Sequence, residues 1–220
     1  MARSAGAAVE PSDMRDRWST ARTEAFSDGV FAIAITLLVL EIGVPESDLD
    51  NLWYGIAHQW PSYLAYVTSF VTIGGIWMIH HGLFGRLQYA NASIMRVNLA
   101  VLMAVSFLPY PTGLMAETIR TSGAERAAVL FYGFNLLLIS ALMGALWAVA
   151  ARHRELVHPD VDDREVQQLL RATTPDIGFY VTTFAIALLA PHVAVWGYLV
   201  IGVRLVTRAR SDDLPAAADG

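Results

Sequence analysis

Residues 22–42 read RTEAFSDGVFAIAITLLVLEI, and this stretch decides how the rest of the chain is interpreted. From Phe26 onward the residues are apolar over a length that can cross a lipid bilayer as one helix. Arg22, Ser27 and Asp28 lie in the first turns of that helix. Because a charged side chain at a membrane helix costs free energy, its presence indicates either a functional role or a contact that fixes helix packing.

The composition places the whole chain among membrane proteins. Of its 220 residues, 55% are hydrophobic and only 16% are charged, whereas soluble domains contain about 25% charged residues. We therefore predict an all-α, polytopic membrane protein. The chain contains no cysteine, which excludes disulfides, thiolate nucleophiles and cysteine-based metal sites.

The hydropathy pattern divides the chain into three parts. Residues 1–21 are polar and lack the apolar core of a signal peptide, and we predict that they and residues 209–220 are disordered. Residues 22–208 form the predicted transmembrane domain. Its apolar stretches are 26–44, 61–81, 94–114 (kinked or ended by Pro109 and Pro111), 127–150 and 177–206, with a short interfacial helix at 52–59 and a charged segment in water at 151–171.

The last apolar stretch decides the number of spans. A membrane-spanning helix needs about twenty residues to cross the hydrocarbon core, and this stretch is longer. Pro191-His192 at its middle predicts a turn between two shorter helices. With six spans, thirteen of the fifteen basic residues, all of them arginine, fall on one side, and only Arg120 and Arg126 fall on the other. Since basic residues accumulate on the cytoplasmic side, we predict six spans with both termini in the cytoplasm.

The first span has one wholly apolar face. Residues that recur at steps of three and four share a face of a helix, and here they are Phe26, Val30, Ile33, Leu37, Leu40 and Val44. Small residues elsewhere on the helix, such as Gly29 and Ala32, favour close helix packing. The pattern alone fits a face toward lipid and a face toward a hydrophobic pore equally well.

Polar residues of the first two spans are predicted to meet. Ser27 and Asp28 lie near the cytoplasmic end of span one, and Trp77, His80 and His81 lie near the same end of span two. Imidazole or indole N–H groups can supply the partner that a buried carboxylate needs. We interpret this set as a static network that positions span one; a pH-sensitive latch is the alternative, because histidine titrates near neutrality.

Sites for catalysis, cofactors and resident metals are not expected. Adjacent His80 and His81 project about 100° apart on a helix, so they are poorly placed to bind one ion together. The sequence contains no nucleophile elbow, P-loop or dinucleotide fingerprint. We interpret Asn98, Asn135 and Ser140, which lie inside spans, as interhelical hydrogen-bonding residues. We therefore predict that the protein is not an enzyme and has no cofactor.

Residues 22–42 resemble the first-helix signature of the transmembrane protein 175 family of potassium channels. That signature is R-x-x-x-F-S-D followed by a run close to GVFAIAITLL, and here it is Arg22, Phe26, Ser27 and Asp28, then residues 29–38 without interruption. The resemblance continues through SFVTIGGIWMIHHGLF at 69–84 and NLAVLMAVSFLPYPTGL at 98–114. Spans four to six are similar in hydropathy only.

The resemblance implies a homotetramer in which four copies of the first helix line a central pore. It also implies a constriction made of bulky aliphatic side chains, not a filter of backbone carbonyls. By position, Ile33 supplies the ring nearest the cytoplasm, Leu37 and Leu40 supply further layers, and Thr36 supplies a polar layer. The residues expected to hold the pore helix in place are Arg22, Phe26, Ser27, Asp28, Trp77, His80 and His81.

We therefore expect a potassium-selective or potassium-preferring channel in a bacterial plasma membrane, with several spans per subunit. Its expected partners are potassium ions passing through the pore, the lipid bilayer and further copies of the chain, with no nucleic acid and no resident metal. Two alternatives stay open. One is a proton-coupled transporter that uses Asp28 with His80 and His81, and the other is a non-conducting membrane scaffold or a membrane-embedded hydrolase.

Overall fold

The computed structural model describes residues 18–43, 50–118, 123–162 and 177–212. Within these ranges the chain is helical apart from short connections, 3-10 turns and two isolated β-bridges, which confirms the all-α prediction there. The helices are α1 (Thr20–Leu37, continued by a 3-10 turn over Leu38–Glu41), α2 (Leu52–His58), α3 (Trp60–Phe84), α4 (Ala92–Phe107), α5 (Pro109–Thr118), α6 (Glu125–Arg152), α7 (Ile177–Leu189) and α8 (Pro191–Asp212).

The predicted boundaries differ from the helix ends by a few residues. α1 begins at Thr20, just inside the segment predicted to be disordered, and α8 continues to Asp212, past the predicted end of the transmembrane domain. The remainder of the predicted disordered ends, 1–17 and 213–220, lies outside the described residues, as do 163–171 of the predicted aqueous segment.

Four helical stretches are long and apolar enough to cross a membrane. Each one covers one of the first four predicted spans, and together they establish a multi-pass membrane protein. α7 is apolar but shorter. The stretches are Thr20–Glu41, Trp60–Phe84, Ala92–Thr118 and Glu125–Arg152.

The third stretch consists of two helices, α4 and α5. Asn91 caps the start of α4, because its Oδ1 accepts hydrogen bonds from the backbone N–H groups of Ser93 at 3.1 Å and Ile94 at 2.9 Å. α4 ends at Phe107, and α5 begins at Pro109. Proline lacks a backbone donor, so the α-helix is interrupted here although Leu108 keeps helical backbone angles. The interruption falls where the sequence predicts a kink or an end, and the chain continues as a helix to Thr118.

The chain reverses direction between α7 and α8. Thr183 on α7 lies so close to Gly197 on α8 that a Cβ on this glycine would be 2.8 Å from the Thr183 Cγ2. In one continuous helix, residues fourteen positions apart would be separated by about 21 Å. The two helices therefore pack side by side, as the predicted turn at Pro191-His192 requires. His192 forms an ion pair with Glu125 at the start of α6, which ties this turn to the bundle.

α8 packs very closely against α3. A Cβ on Gly75 would be 2.6 Å from the Leu205 Cβ, and a Cβ on Gly202 would be 3.2 Å from the Thr72 backbone nitrogen. Glycine at both positions thus lets the two backbones approach. The core of the bundle lies between these helices and α1, α4, α5 and α6. Its largest fully buried side chains include Phe31, Leu38, Ile73, Leu108, Met115, Tyr132, Leu136, Ile139 and Tyr198.

Three separate segments meet at one end of the bundle. Trp18 and Ala90 exchange backbone hydrogen bonds of 2.8 and 3.1 Å, which pairs the start of the described chain with the connection between α3 and α4. Leu87 in the same connection forms a β-bridge with Val157, which follows α6. The start of α1, the α3–α4 connection and the end of α6 therefore share one end, as the arginine distribution predicts.

Candidate functional site

α1 buries one face against α3 and α4. The buried residues are Thr23, Ser27, Phe31 and Ala34, followed by Leu38 in the 3-10 turn. They recur at steps of three and four and so share one side of the helix. The first two are polar and the others are apolar, so α1 is joined to its neighbours by hydrogen bonds at one end and by apolar packing along the rest.

A chain of hydrogen bonds links α1, α4 and α3 inside the subunit. The His80 Nε2 donates to the Asn98 Oδ1 at 2.7 Å, and the Asn98 Nδ2 donates to the Ser27 Oγ at 3.0 Å. The Ser27 hydroxyl in turn donates to the Thr23 carbonyl oxygen at 2.8 Å. Ser27, His80 and Asn98 are all buried, so these bonds replace hydration that the side chains lose.

The imidazole of His80 is enclosed by aromatic rings. It stacks on Phe84 with ring centroids 4.6 Å apart and lies tilted against Phe31 at 5.2 Å. Because the amide oxygen of Asn98 accepts only, the Nε2 of His80 carries a proton. The imidazole is thus held between Phe31 of α1 and Phe84 of α3.

A second group of polar contacts lies beside this chain, nearer the surface. The Trp77 Nε1 donates to the Asp28 Oδ1 at 2.8 Å, and the His81 Nδ1 lies 2.7 Å from the Glu24 Oε1. One potential ligand atom from each of Glu24, Asp28 and His81 lies within 4.8 Å of the other two. In the described part of the chain, these three residues form a group whose oxygen and nitrogen atoms are close enough to hold one metal ion.

The structure brings together five of the seven residues predicted to position α1: Ser27, Asp28, Trp77, His80 and His81. They belong to two separate sets of contacts, because Ser27 reaches His80 through Asn98 and Asp28 contacts Trp77. The other two, Arg22 and Phe26, are exposed on this subunit. The positioning role predicted for all seven residues stays a prediction.

Sequence reasoning missed the contribution of Glu24 and understated that of Asn98. Glu24 lies one helical turn before Asp28, and residues four apart share a helix face, so its position could have been read from spacing. Asn98 was predicted to bond between helices, and it does, as does Asn135, which donates to the Ala104 carbonyl oxygen at 3.1 Å. No feature of the sequence indicates that Asn98 joins Ser27 to His80.

The opposite side of α1 is apolar and uncovered within the subunit. Ile33, Leu37 and Leu40 are 60%, 40% and 73% exposed. In the most apolar part of the stretch Thr20–Glu41, which contains α1, only 28% of the residues are buried, against 44% in each of the other three membrane-length stretches. Ile35, by contrast, is half-buried and packs against the core of its own subunit. α1 therefore lies at the edge of the subunit, with a large apolar face left for another surface.

Thr36 lies on the exposed part of α1 next to these residues. Its hydroxyl donates to the Ile33 carbonyl oxygen at 2.9 Å. A hydroxyl oxygen has two acceptor lone pairs, so Thr36 keeps acceptor capacity that faces away from the subunit. Thr36 thus adds a polar position beside Ile33 and Leu37 on α1, and Val39 and Leu40 are exposed in the 3-10 turn that follows.

Comparison with known proteins places the chain among membrane channels. Residues 22–109 match the family described as endosomal/lysosomal potassium channel TMEM175. A potassium channel of Streptomyces collinus is 44% identical over 142 residues, which is 64% of this chain and 69% of that protein. A potassium channel of Chamaesiphon minutus is 36% identical over 195 residues, which is 87% of this chain and 96% of that protein.

The fold is shared with a solved structure. The crystal structure of a lysosomal potassium-selective channel TMEM175 homologue from Chamaesiphon minutus superposes with a TM-score of 0.77. The two chains are 35% identical, and the match covers 86% of this chain and 97% of that chain. These relatives are ion channels and not enzymes. On sequence and fold together, the chain belongs to the TMEM175 family of potassium channels.

Proposed function

We propose that the protein conducts potassium ions across a bacterial plasma membrane, as a homotetramer in which α1 of each subunit lines a central pore. One observation carries the proposal: α1 leaves a broad apolar face uncovered in a chain whose bacterial relatives are named potassium channels. A single helix has no inside, so several copies are needed to enclose a path.

A pore explains the exposed side of α1 better than lipid does. Lipid favours a uniformly apolar surface, whereas Thr36 presents a hydroxyl oxygen among the exposed aliphatic residues. The buried side of the same helix is fixed by hydrogen bonds to α3 and α4. A helix that only contacts fluid lipid has no need of such exact placement, while a helix that sets the width of a pore does.

The aliphatic side chains would form successive constrictions. In four copies, Ile33 forms the ring nearest the cytoplasm, Thr36 a polar layer, and Leu37 and Leu40 further rings. An ion must shed water to pass a narrow hydrophobic ring. A more weakly hydrated cation does so more easily, which favours potassium over sodium.

The polar contacts of α1 would keep these rings at a fixed width. Ser27, Asn98 and His80 are joined by hydrogen bonds in a buried site away from water, which supports a static positioning role over a pH-sensitive latch. Asp28 and Trp77 add a second attachment between α1 and α3. Arg22 and Phe26, exposed on one subunit, are proposed to act at contacts between subunits or with lipid headgroups.

We also propose that α7 and α8 both cross the membrane, which gives six spans and cytoplasmic termini. The reversal at Pro191 supports this topology, and so does the placement of the start of α1 beside the α3–α4 connection and the end of α6. Arg204 and Arg208, in the last turns of α8, then join the arginine-rich side.

Reconstitution in planar bilayers with opposed potassium and sodium gradients tests the function. We expect unitary currents whose reversal potential lies toward that of potassium, from a protein whose mass in detergent is that of a tetramer. Saturable flux without unitary currents would instead indicate a transporter, and the absence of any flux would indicate a scaffold. A monomer that conducts would refute the shared pore.

A further inference from the structure

The group formed by Glu24, Asp28 and His81 has a chemistry that the potassium path does not explain. Glu24 and Asp28 lie one turn apart on α1, and His81 lies on the adjacent α3. Their potential ligand atoms all lie within 4.8 Å of one another. His80, the neighbour of His81, belongs to the buried hydrogen-bond chain instead. The other two members of the group therefore come from α1 and not from α3.

The charges in this group are not balanced by the residues around it. Asp28 is bonded to the neutral indole of Trp77, and Glu24 is paired with His81. Among the described residues no arginine pairs with either carboxylate. The two carboxylates therefore leave a net negative charge even when the imidazole carries its proton. A bound cation would relieve the repulsion between them.

We propose that Glu24, Asp28 and His81 bind a divalent transition-metal ion of the zinc type. One oxygen from each carboxylate and the imidazole Nδ1 supply three ligands, and water completes a tetrahedral site. A nitrogen ligand favours zinc and its neighbours over magnesium and calcium, which prefer oxygen. The site and its test do not depend on whether the protein conducts potassium.

Small side-chain movements would be enough to form the site. Ligand atoms at about 2.1 Å from zinc lie about 3.4 Å apart in a tetrahedron. The direct 2.7 Å contact between the His81 Nδ1 and the Glu24 Oε1 would therefore open slightly, and no two of the ligand atoms start more than 4.8 Å apart. Trp77 donates to the Oδ1 of Asp28, and this bond holds the carboxylate in place, while a carboxylate can still bind an ion through either oxygen.

The bound ion would attach α1 to α3 at the end where the hydrogen-bond chain already joins them. Its two ligands from α1 and one from α3 make a bridge that must break before these helices separate. A ligand that binds only the folded state raises its stability. Occupancy is therefore expected to stabilise the fold as well as to bind metal.

Zinc titration of the detergent-purified full-length protein, after treatment with a chelator, tests the site. We expect one zinc ion per chain by calorimetry and a rise in the thermal unfolding midpoint. His81→Ala removes the nitrogen ligand and should weaken binding at least tenfold and abolish the rise. Glu24→Gln keeps the shape of the side chain and should weaken binding similarly, so it carries the test if His81→Ala does not fold.

His153→Ala is the matched control. His153 and Glu155 form a comparable pair, with Nδ1 and Oε1 2.9 Å apart and at the same end of the bundle, and the metal-competent group found among the described residues does not include them. Zinc binding should be unchanged in this variant. Equal affinity in the wild type and His81→Ala would overturn the proposal. So would an equal loss in His153→Ala, or magnesium binding as tight as zinc binding and insensitive to His81→Ala.

Discussion

Replacing Asn98 by leucine tests the buried hydrogen-bond chain that joins α1, α4 and α3. Leucine is close to asparagine in size but can neither accept from His80 nor donate to Ser27, bonds of 2.7 and 3.0 Å. Ser27 keeps its bond to the Thr23 carbonyl oxygen, so the main loss falls on the buried N–H of His80. Leaving one buried donor unsatisfied costs about 1–3 kcal/mol.

Thermal unfolding of the purified protein measures this cost. For a chain of this size, 1 kcal/mol lowers the midpoint by about 2–4 °C, so Asn98→Leu should lower it by several degrees. His80→Phe keeps the ring contacts with Phe31 and Phe84 but leaves the Asn98 amide without its partner, and it should also destabilise the fold.

The double variant Asn98→Leu with His80→Phe decides whether the bond itself is responsible. Replacing both partners by apolar groups of similar shape is nearly neutral compared with removing one. The double variant should therefore lose less stability than the sum of the two single variants, with a coupling of about 0.5–3 kcal/mol. Strictly additive losses would refute the reasoning, because the two residues would then act independently.

Three further predictions follow from particular contacts. Gly75→Ala should sharply lower the thermal unfolding midpoint, because the added Cβ would be 2.6 Å from the Leu205 Cβ. Gly74→Ala is the control and should be neutral or stabilising, because an added Cβ there would have nothing within 4 Å. Equal effects of the two variants would argue against close packing of α3 on α8. Asp28→Asn keeps an acceptor for Trp77 and should cost far less than the loss of about 3–5 kcal/mol for a broken buried ion pair. Asp28→Leu removes the acceptor as well and should cost more than Asp28→Asn; equal losses in the two variants would show that the charge, not the hydrogen bond, holds α1. Reporter enzymes fused to the C-terminus should be active only in the cytoplasm, and a periplasmic C-terminus would rule out six spans.

The parts of the fold that depend on local chemistry could be predicted from the sequence. Proline lacks the backbone N–H that a continuing helix needs, so the interruption of the third span at Pro109 and the reversal before α8 at Pro191 were both predictable. The arginine distribution predicted which chain segments share one end of the bundle, and the Trp18–Ala90 and Leu87–Val157 bridges place them there.

Other features depend on which helices become neighbours, and the sequence does not show this. The sequence places Ser27 near one end of the first span, but it cannot indicate that Asn98, 71 residues later, is its partner. Glu24 was overlooked because its role depends on His81 in a different helix. An apolar face toward lipid and one toward a hydrophobic pore have the same composition, so periodicity could not assign the exposed side of α1.

The most direct test of the central claim uses the absence of cysteine from the chain. Ile33→Cys and Ile35→Cys each introduce one thiol, two residues apart, the first on the exposed side of α1 and the second half-buried against its own subunit. Potassium currents are recorded in planar bilayers before and after a charged methanethiosulfonate reagent is added. Before the reagent is added, we predict that Ile33→Cys carries a larger current than the wild type, because its ring is wider. The reagent should then block the current of Ile33→Cys and leave the currents of Ile35→Cys and the wild type unchanged. Equal block of both variants, or no block of Ile33→Cys, would contradict the proposal that this face of α1 lines the pore.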